Sequence, residues 1–173
     1  MKKLIIAFLF LSFSTQGFPQ FFKDSKTVTK HEGYVTFYYD ESTDKIFLQI
    51  ENLQQEFLYV NSLSEGVGSN DIGLDRGQLG NTRIVKFMKA GNKLLLIQPN
   101  QDYRAITDNL EEKKSVEQAF AKSVIHGFVI KETNQGKYLV DATSFFMRDA
   151  HGVQGRLSAR KQGSYSLDKS RSA

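Results

Sequence analysis

The chain has 173 residues, a formal net charge of +4 and no cysteine. The absence of cysteine excludes disulfides and cysteine-ligated zinc, so the fold must be held by its apolar core or by a partner. No cluster of lysine and arginine interleaved with aromatic residues is present, and we therefore expect no nucleic-acid partner.

The first 17 residues have the order of a secretory signal peptide. Lys2 and Lys3 precede an apolar run over residues 4–13, and the small residues Thr15 and Gly17 follow it. This run is shorter than the roughly 20 apolar residues that span a bilayer. We predict cleavage after Gly17 and an exported mature chain, periplasmic or extracellular, without a transmembrane segment. The other interpretation is a buried N-terminal strand or helix.

After the signal peptide, residues 18–33 form a mixed polar segment with a cluster of three phenylalanines, Phe18, Phe21 and Phe22. We interpret this lead-in segment as loose and as packing late. The following runs of aromatic and β-branched residues predict strands. They cover residues 34–39, 45–50, 57–60, 83–89, 93–97, 125–131 and 137–140. Polar turns at residues 40–44, 90–92 and 134–136 join pairs of these strands into hairpins.

One helix is clear in the sequence, over residues 109–123. Asp108 and Glu111 have the spacing of an N-cap and its reciprocal partner. One helical face carries Val116, Ala119, Phe120 and Ser123, which we interpret as a core stripe. A short second helix, capped by Thr143 or Ser144, is possible through Phe145, Phe146 and Met147.

Several hairpins with one or two helices indicate an α+β fold with a predominantly antiparallel sheet. We assign a single β-rich domain to residues 34–160. Residues 161–173 are interpreted as the start of a linker or of a following domain.

A glycine-rich segment over residues 65–80 interrupts the strand pattern. Loops longer than about 12–15 residues are uncommon in compact domains and are functional or disordered. The apolar residues Ile72, Leu74 and Leu79 between the glycines favour a loop that folds onto something. Its candidate docking residues are Ser69, Asn70, Asp71, Asp75, Arg76 and Gln78. The alternatives are disorder, or a bond from Asp71 or Asp75 to Arg76 that only holds the turn.

The sequence contains no complete catalytic motif. His31 and Glu32 begin like the zinc-protease motif H-E-x-x-H, but Val35 stands where the second histidine is needed. His126 and His151 are distant in sequence, and we interpret His126 as a satisfied core or edge residue. The nucleophile-elbow and P-loop patterns are missing, and Asp71 and Asp75 lack EF-hand spacing. We predict no catalytic residue, metal site or cofactor in this chain.

Several strings resemble the N-terminal domain of exported bacterial zinc-dependent metalloproteases. They lie at residues 65–80, 96–100, 103–104, 119–123, 139–143, 164–165 and 168–172. The resemblance implies a domain of unknown function in front of a metzincin-like domain that carries the H-E-x-x-H zinc helix. No position of this chain matches the family's zinc ligands or its catalytic glutamate.

Two functions remain open from the sequence. The resemblance implies a non-catalytic accessory domain that packs on, or shapes, the downstream protease domain of the same polypeptide. The alternative is a free-standing exported module that binds a peptide, a glycan or a lipid. Zinc is expected only in the downstream catalytic domain.

The signal peptide makes a direct prediction about the mature N-terminus. N-terminal sequencing of protein collected from the periplasm or the medium should begin at Phe18 or within a few residues of it. Soluble cytoplasmic protein that retains Met1 would contradict export.

Overall fold

The computed structural model describes Phe18, residues 20–66 and residues 70–170; the predicted signal peptide lies outside this part of the chain. Its strands form one eight-stranded antiparallel sheet with the order β1-β2-β3-β8-β7-β6-β5-β4. The strands are β1 (Val28–His31), β2 (Thr36–Asp40), β3 (Lys45–Ile50), β4 (Phe57–Tyr59), β5 (Arg83–Ala90), β6 (Lys93–Gln98), β7 (Ser123–Asn134) and β8 (Lys137–Asp141). The predicted α+β class is confirmed.

Three short helices accompany the sheet in the described residues: α1 (Leu110–Ala119), α2 (Thr143–Phe146) and α3 (Val153–Ala159). None of them is long and apolar enough to span a membrane. The sequence predicted α1 and α2 but not α3. The N-cap of α3 is Gly152 in a left-handed conformation, and Asp149 accepts hydrogen bonds from the first backbone amides of the helix. This cap lies four residues before the helix, outside the usual N-cap spacing.

Three details of the helix predictions are wrong. The N-cap of α1 is Asn109 rather than Asp108, and its side chain accepts a hydrogen bond from the Glu111 amide at 2.9 Å. Helix α1 ends at Ala119, and Ser123 already belongs to β7. Thr143 does not cap α2, because its hydroxyl accepts a hydrogen bond from the Ile46 amide at 3.0 Å.

The lead-in segment is not loose. Its C-terminal part forms the edge strand β1, and Phe18 is buried together with Tyr38, Phe47 and Leu139. The β1 sequence Val-Thr-Lys-His is mostly polar and exposed, so it lacks the apolar alternation on which the strand predictions depended.

The inner face of the sheet carries the main core. Because the sheet curls, residues from β3 to β8 and from α2 share one apolar cluster. The buried members are Ile50, Val85, Phe87, Leu94, Leu96, Phe128, Val140, Ala142 and Phe145. A contact between the rings of Tyr34 and Phe57, whose centroids are 5.7 Å apart, brings the segment before β2 close to β4. This core therefore joins both halves of the sheet.

The N-terminal segment covers one half of the outer face of the sheet. Over β2, β3 and β8, Phe18 and Phe22 pack on Tyr38, Phe47 and Leu139. The Phe22 ring lies 4.9 Å from that of Tyr38 and 5.4 Å from that of Phe47, measured between ring centroids. The N-terminal segment thus forms a second, smaller core on this half.

The turn between β2 and β3 is organised by one carboxylate. Asp40 accepts hydrogen bonds from the hydroxyls of Thr27 at 2.9 Å, Ser42 at 2.7 Å and Thr43 at 3.0 Å. The Ser42 amide donates a further bond at 3.1 Å. These donors, with the Ser42 hydroxyl first, lower the pKa of Asp40 from 3.8 to about 2.

This turn predicts an acid-sensitive stability. Because the pKa of Asp40 is lower in the folded chain, its ionised form stabilises the fold above pH 3.8, and this contribution disappears as the pH falls toward about 2. Denaturant unfolding across that range should give a smaller pH slope for Asp40→Asn than for the wild type, with lower stability at neutral pH. Asp24→Asn, an exposed carboxylate nearby, is the matched control. Equal slopes for Asp40→Asn and the wild type would contradict the assignment.

Candidate docking surface

The glycine-rich segment folds back along the chain that follows β4. The Leu63 amide donates to the Gln78 carbonyl at 2.9 Å, and the Gly77 amide donates to the Leu63 carbonyl at 2.7 Å. A further bond at 2.7 Å joins the Gly80 amide to the Asn61 carbonyl. The described part of the segment is therefore an ordered antiparallel extension of the β4–β5 connection.

The glycine-rich segment also contacts the C-terminal part of the chain. Leu74 is completely buried, and Arg156 of α3 donates a hydrogen bond to the Gly73 carbonyl at 2.6 Å. Of the apolar residues that lie between the glycines, Leu74 is therefore the one that packs into the interior. The segment folds onto this chain itself.

The predicted docking residues occupy different places. Ser69 lies outside the described residues, while Asn70 and Asp71 begin a short 3-10 turn, Asn70–Ile72. Asp75 and Arg76 are exposed, and the Gln78 side chain accepts a weak hydrogen bond from the Asp75 amide at 3.3 Å. Within the described part, Arg76 makes no ion pair with Asp71 or Asp75. A docking role for these residues stays a prediction.

A larger candidate surface lies on the outer face of β4 to β7, where sequence reasoning had placed no site. We call it the outer-face patch, and it consists of four exposed aliphatic side chains. They are Leu58, Ile84, Val124 and Val129, exposed by 71%, 38%, 57% and 43%. Side chains of this kind on a sheet face are normally covered by a second layer.

Strand register places the members of the outer-face patch on one face. Leu58 pairs with Ile84, Val124 pairs with the fully buried Ile97, and Val129 pairs with Lys93, which faces Ala90 of β5. Ile84 and Lys86 are two residues apart on β5, and Lys86 pairs with Ile97. Since side chains at alternate positions of a strand point to the same face, these residues lie on the side opposite Val85 and Phe87 of the inner core.

Helix α1 and the loop before it add exposed apolar residues beside this patch. We call them the helix patch: Tyr103, Ile106, Leu110 and Phe120. Ile106 is fully exposed, and no residue of α1 is buried. The prediction that Val116, Ala119, Phe120 and Ser123 form a core stripe is therefore wrong. In the structure Val116 is half-buried, and the other three are exposed.

One sequence signal for the outer-face patch was available. In β5 the residues Ile84, Val85, Phe87 and Met88 are all apolar, although a strand with one solvent-facing side alternates apolar and polar residues. A near-continuous apolar run indicates a strand that is covered on both faces. The predicted strand is confirmed, and its apolar run also indicates a covered outer face, which the sequence-based prediction did not include.

The three histidines lie in separate environments. His31 stacks on Phe37 with ring centroids 4.5 Å apart, and His126 is half-buried with its ring 4.6 Å from that of Phe128. Burial, helped by the charge of Arg148, lowers the pKa of His126. His151 is also half-buried and lies beyond α2. In the described ranges no three His, Asp or Glu side chains form a group that could hold a metal ion.

Two family models match the chain. Residues 77–173, more than half of the chain, match a domain of unknown function, DUF5117. The chain belongs to the DUF5117 family. Residues 16–66 match a second domain of unknown function, DUF5118. No curated protein and no solved structure matches the chain. Neither description names an activity, so the resemblance to metalloproteases stays a prediction.

The two matched segments contribute to one sheet. Strands β1 to β4 lie within residues 16–66 and β5 to β8 within residues 77–173. Strand β3 pairs with β8, and β4 pairs with β5. The glycine-rich segment spans the boundary between the two matches. It therefore connects two parts of one folded sheet.

The close packing of the glycine-rich segment predicts a cost for a side chain at Gly66. A Cβ there would lie 3.0 Å from the Arg76 amide nitrogen and 3.1 Å from the Leu74 carbonyl oxygen, and backbone atoms cannot rotate away. Gly66→Ala should lower the free energy of unfolding by about 1–3 kcal/mol. Denaturant unfolding of the mature chain measures this change.

Gly155→Ala provides the matched control. Gly155 lies inside α3, and a Cβ there would meet nothing within 4 Å. Because glycine disfavours a helix interior relative to alanine, this variant should be more stable by about 0.5–1 kcal/mol. A Gly66→Ala protein as stable as the wild type would show that the segment is not packed as described.

Proposed function

We propose that this chain is the non-catalytic accessory domain of an exported zinc-dependent metalloprotease and packs on the protease domain of the same polypeptide. The observation that carries the proposal is the outer-face patch. In the described residues, phenylalanines of the N-terminal segment cover one half of the outer sheet face, whereas four aliphatic side chains stay exposed on the other half, around the fully buried Ile97.

The open half has the character of an interface. Contiguous exposed apolar surface beyond a few hundred Å² usually marks a binding site. Scattered single apolar side chains need no explanation, but Leu58 and Ile84 are paired neighbours on adjacent strands. Leu58 and Ile84 therefore form a connected part of the outer-face patch, and a second layer of structure would cover it.

Helix α1 supports the same conclusion. Isolated helices shorter than about 12–15 residues are marginal in water and depend on tertiary packing. Helix α1 has 10 residues, none of them buried. A domain that packs over α1 and the outer-face patch would supply the missing contacts for both.

The protease domain is the proposed occupant because of the sequence resemblance. The described part of its most specific string, residues 65–80, is joined to α3 by a hydrogen bond, and Asp75 and Arg76 remain exposed there. We place these two residues at the edge of the protease cleft, facing substrate or the catalytic domain. Zinc and the catalytic groups belong to the protease domain, and this chain contributes binding surface and shape.

The proposal predicts measurable apolar exposure in the mature chain alone. The isolated chain should bind a hydrophobic dye or self-associate, and Leu58→Ser combined with Val129→Ser should reduce both signals. Leu79→Ser is the matched control, because Leu79 is exposed by 63% but lies in the glycine-rich segment. All of these positions are exposed, so the substitutions should change stability by only about 0.5 kcal/mol each.

Amide hydrogen exchange tests whether the protease domain covers α1. Amides of α1 should exchange quickly in the isolated mature chain and slowly in the longer polypeptide that contains the protease domain. A dye-silent monomer would contradict the open patch. Unchanged exchange of α1 in the longer polypeptide, or the absence of an H-E-x-x-H segment from it, would contradict the proposed function.

A further inference from the structure

A cavity beside α1 concentrates positive charge. It has a volume of about 290 Å³ and lies between β5, the loop before α1 and the helix itself. Its charged lining consists of four cations and one carboxylate: Lys86, Arg104, Lys113, Lys122 and Glu117. The cations come from separate parts of the chain, so the fold is what gathers them around one cavity.

Within the described residues, none of these four cations forms an ion pair. The ion pairs of Lys30 with Glu32 and of Lys137 with Glu51 involve no residue that lines this cavity. Arg104 contacts the neutral side chain of Gln101. Glu117 is one turn after Lys113 on α1 but forms no ion pair with it in this part of the structure. The cavity therefore has an excess of positive charge.

The wall of the cavity is already ordered. The rings of Tyr103 and Phe120 stack with centroids 3.9 Å apart and an interplanar angle of 7°. Asn100 holds the loop, because its side chain donates to the Tyr103 carbonyl at 2.9 Å and accepts from the Asp102 and Tyr103 amides at 3.0 and 3.2 Å. An ordered wall lowers the entropy cost of binding.

We infer that this cavity binds the carboxylate of an aspartate or glutamate side chain on the partner domain. The inference rests on the proposed function and adds the chemistry of the partner. Lysine and arginine side chains form charge-assisted hydrogen bonds with carboxylates. Fully exposed Ile106 directly follows the lining residue Ala105 in the chain, and exposed Leu110 begins α1, which supplies Lys113 to the lining. An acidic residue within an apolar polypeptide surface matches both the cationic cavity and these exposed aliphatic residues. A highly polar anionic polysaccharide would leave the aliphatic residues uncovered.

The cavity can be tested with defined probes on the isotope-labelled mature chain. A hexaglutamate peptide at millimolar concentration should shift amide NMR signals around Arg104, Lys113 and Lys122. A hexaglutamine peptide should not shift them. Added salt should weaken the effect, because exposed charges are screened at high ionic strength.

Charge reversal locates the binding site. Lys113→Glu combined with Lys122→Glu should weaken hexaglutamate binding about fivefold or more, since each exposed ion pair contributes a factor of roughly 1.5–5 and reversal adds repulsion. Lys23→Glu combined with Lys161→Glu is the matched control at two exposed lysines outside the cavity, and it should bind like the wild type.

Three results would overturn the inference: no shifts at the cavity, equal weakening by the control variant, or tighter binding of an anionic polysaccharide than of hexaglutamate. The Leu58→Ser and Val129→Ser variant separates this inference from the proposed function. If dye binding depends on the outer-face patch while hexaglutamate does not bind, only the carboxylate assignment fails. If hexaglutamate binds but α1 gains no protection in the longer polypeptide, the proposed function fails.

Discussion

The whole structure depends on one constraint: a single sheet has apolar side chains on both faces, and both faces must be kept from water. The inner face meets this constraint by curling, so that Ile50 of β3 and Val85 of β5 share a core with Phe145 of α2. The outer face meets it on one half, where Phe18 and Phe22 act as a short second layer. On the other half Ile97 is buried, but Leu58 and Ile84 stay exposed among the described residues, and a partner is the physical solution there.

The parts of the fold that could be predicted are those in which local sequence decides the outcome. Strand β3 was predicted with its observed bounds, since the apolar run over residues 45–50 follows a polar turn. Strand β1 and helix α3 escaped prediction for the opposite reason. The exposed edge strand β1 has little apolar pattern, and α3 is capped by Asp149 from four residues before the helix. In both cases the stabilising contacts leave no apolar periodicity or usual N-cap spacing in the sequence, so the element could not be predicted.

Helix α1 shows why the candidate surface was harder to predict than the fold. An apolar stripe indicates which side of a helix is covered, but it does not indicate whether the same domain or a partner covers it. The stripe with Phe120 was assigned to the core of this domain, and the structure leaves Phe120 exposed. The cationic cavity could not be predicted at all. Lys86 and Lys113 are distant in sequence and become neighbours only when the loop at Asn100 folds over β5.

The pairing of β3 with β8 has a consequence for how the chain reaches its native state. Leu48 aligns with Val140, so a strand synthesised early must wait for one of the last strands before its hydrogen bonds can close. Such non-local pairing is slow, because the entropy of closing a long loop is lost before the contacts form. Until then, the free edge of β3 is a template for pairing with other chains. The two matched family segments are therefore kinetically dependent on each other, and a ribosome-bound first half would need a chaperone or rapid completion of synthesis to avoid aggregation.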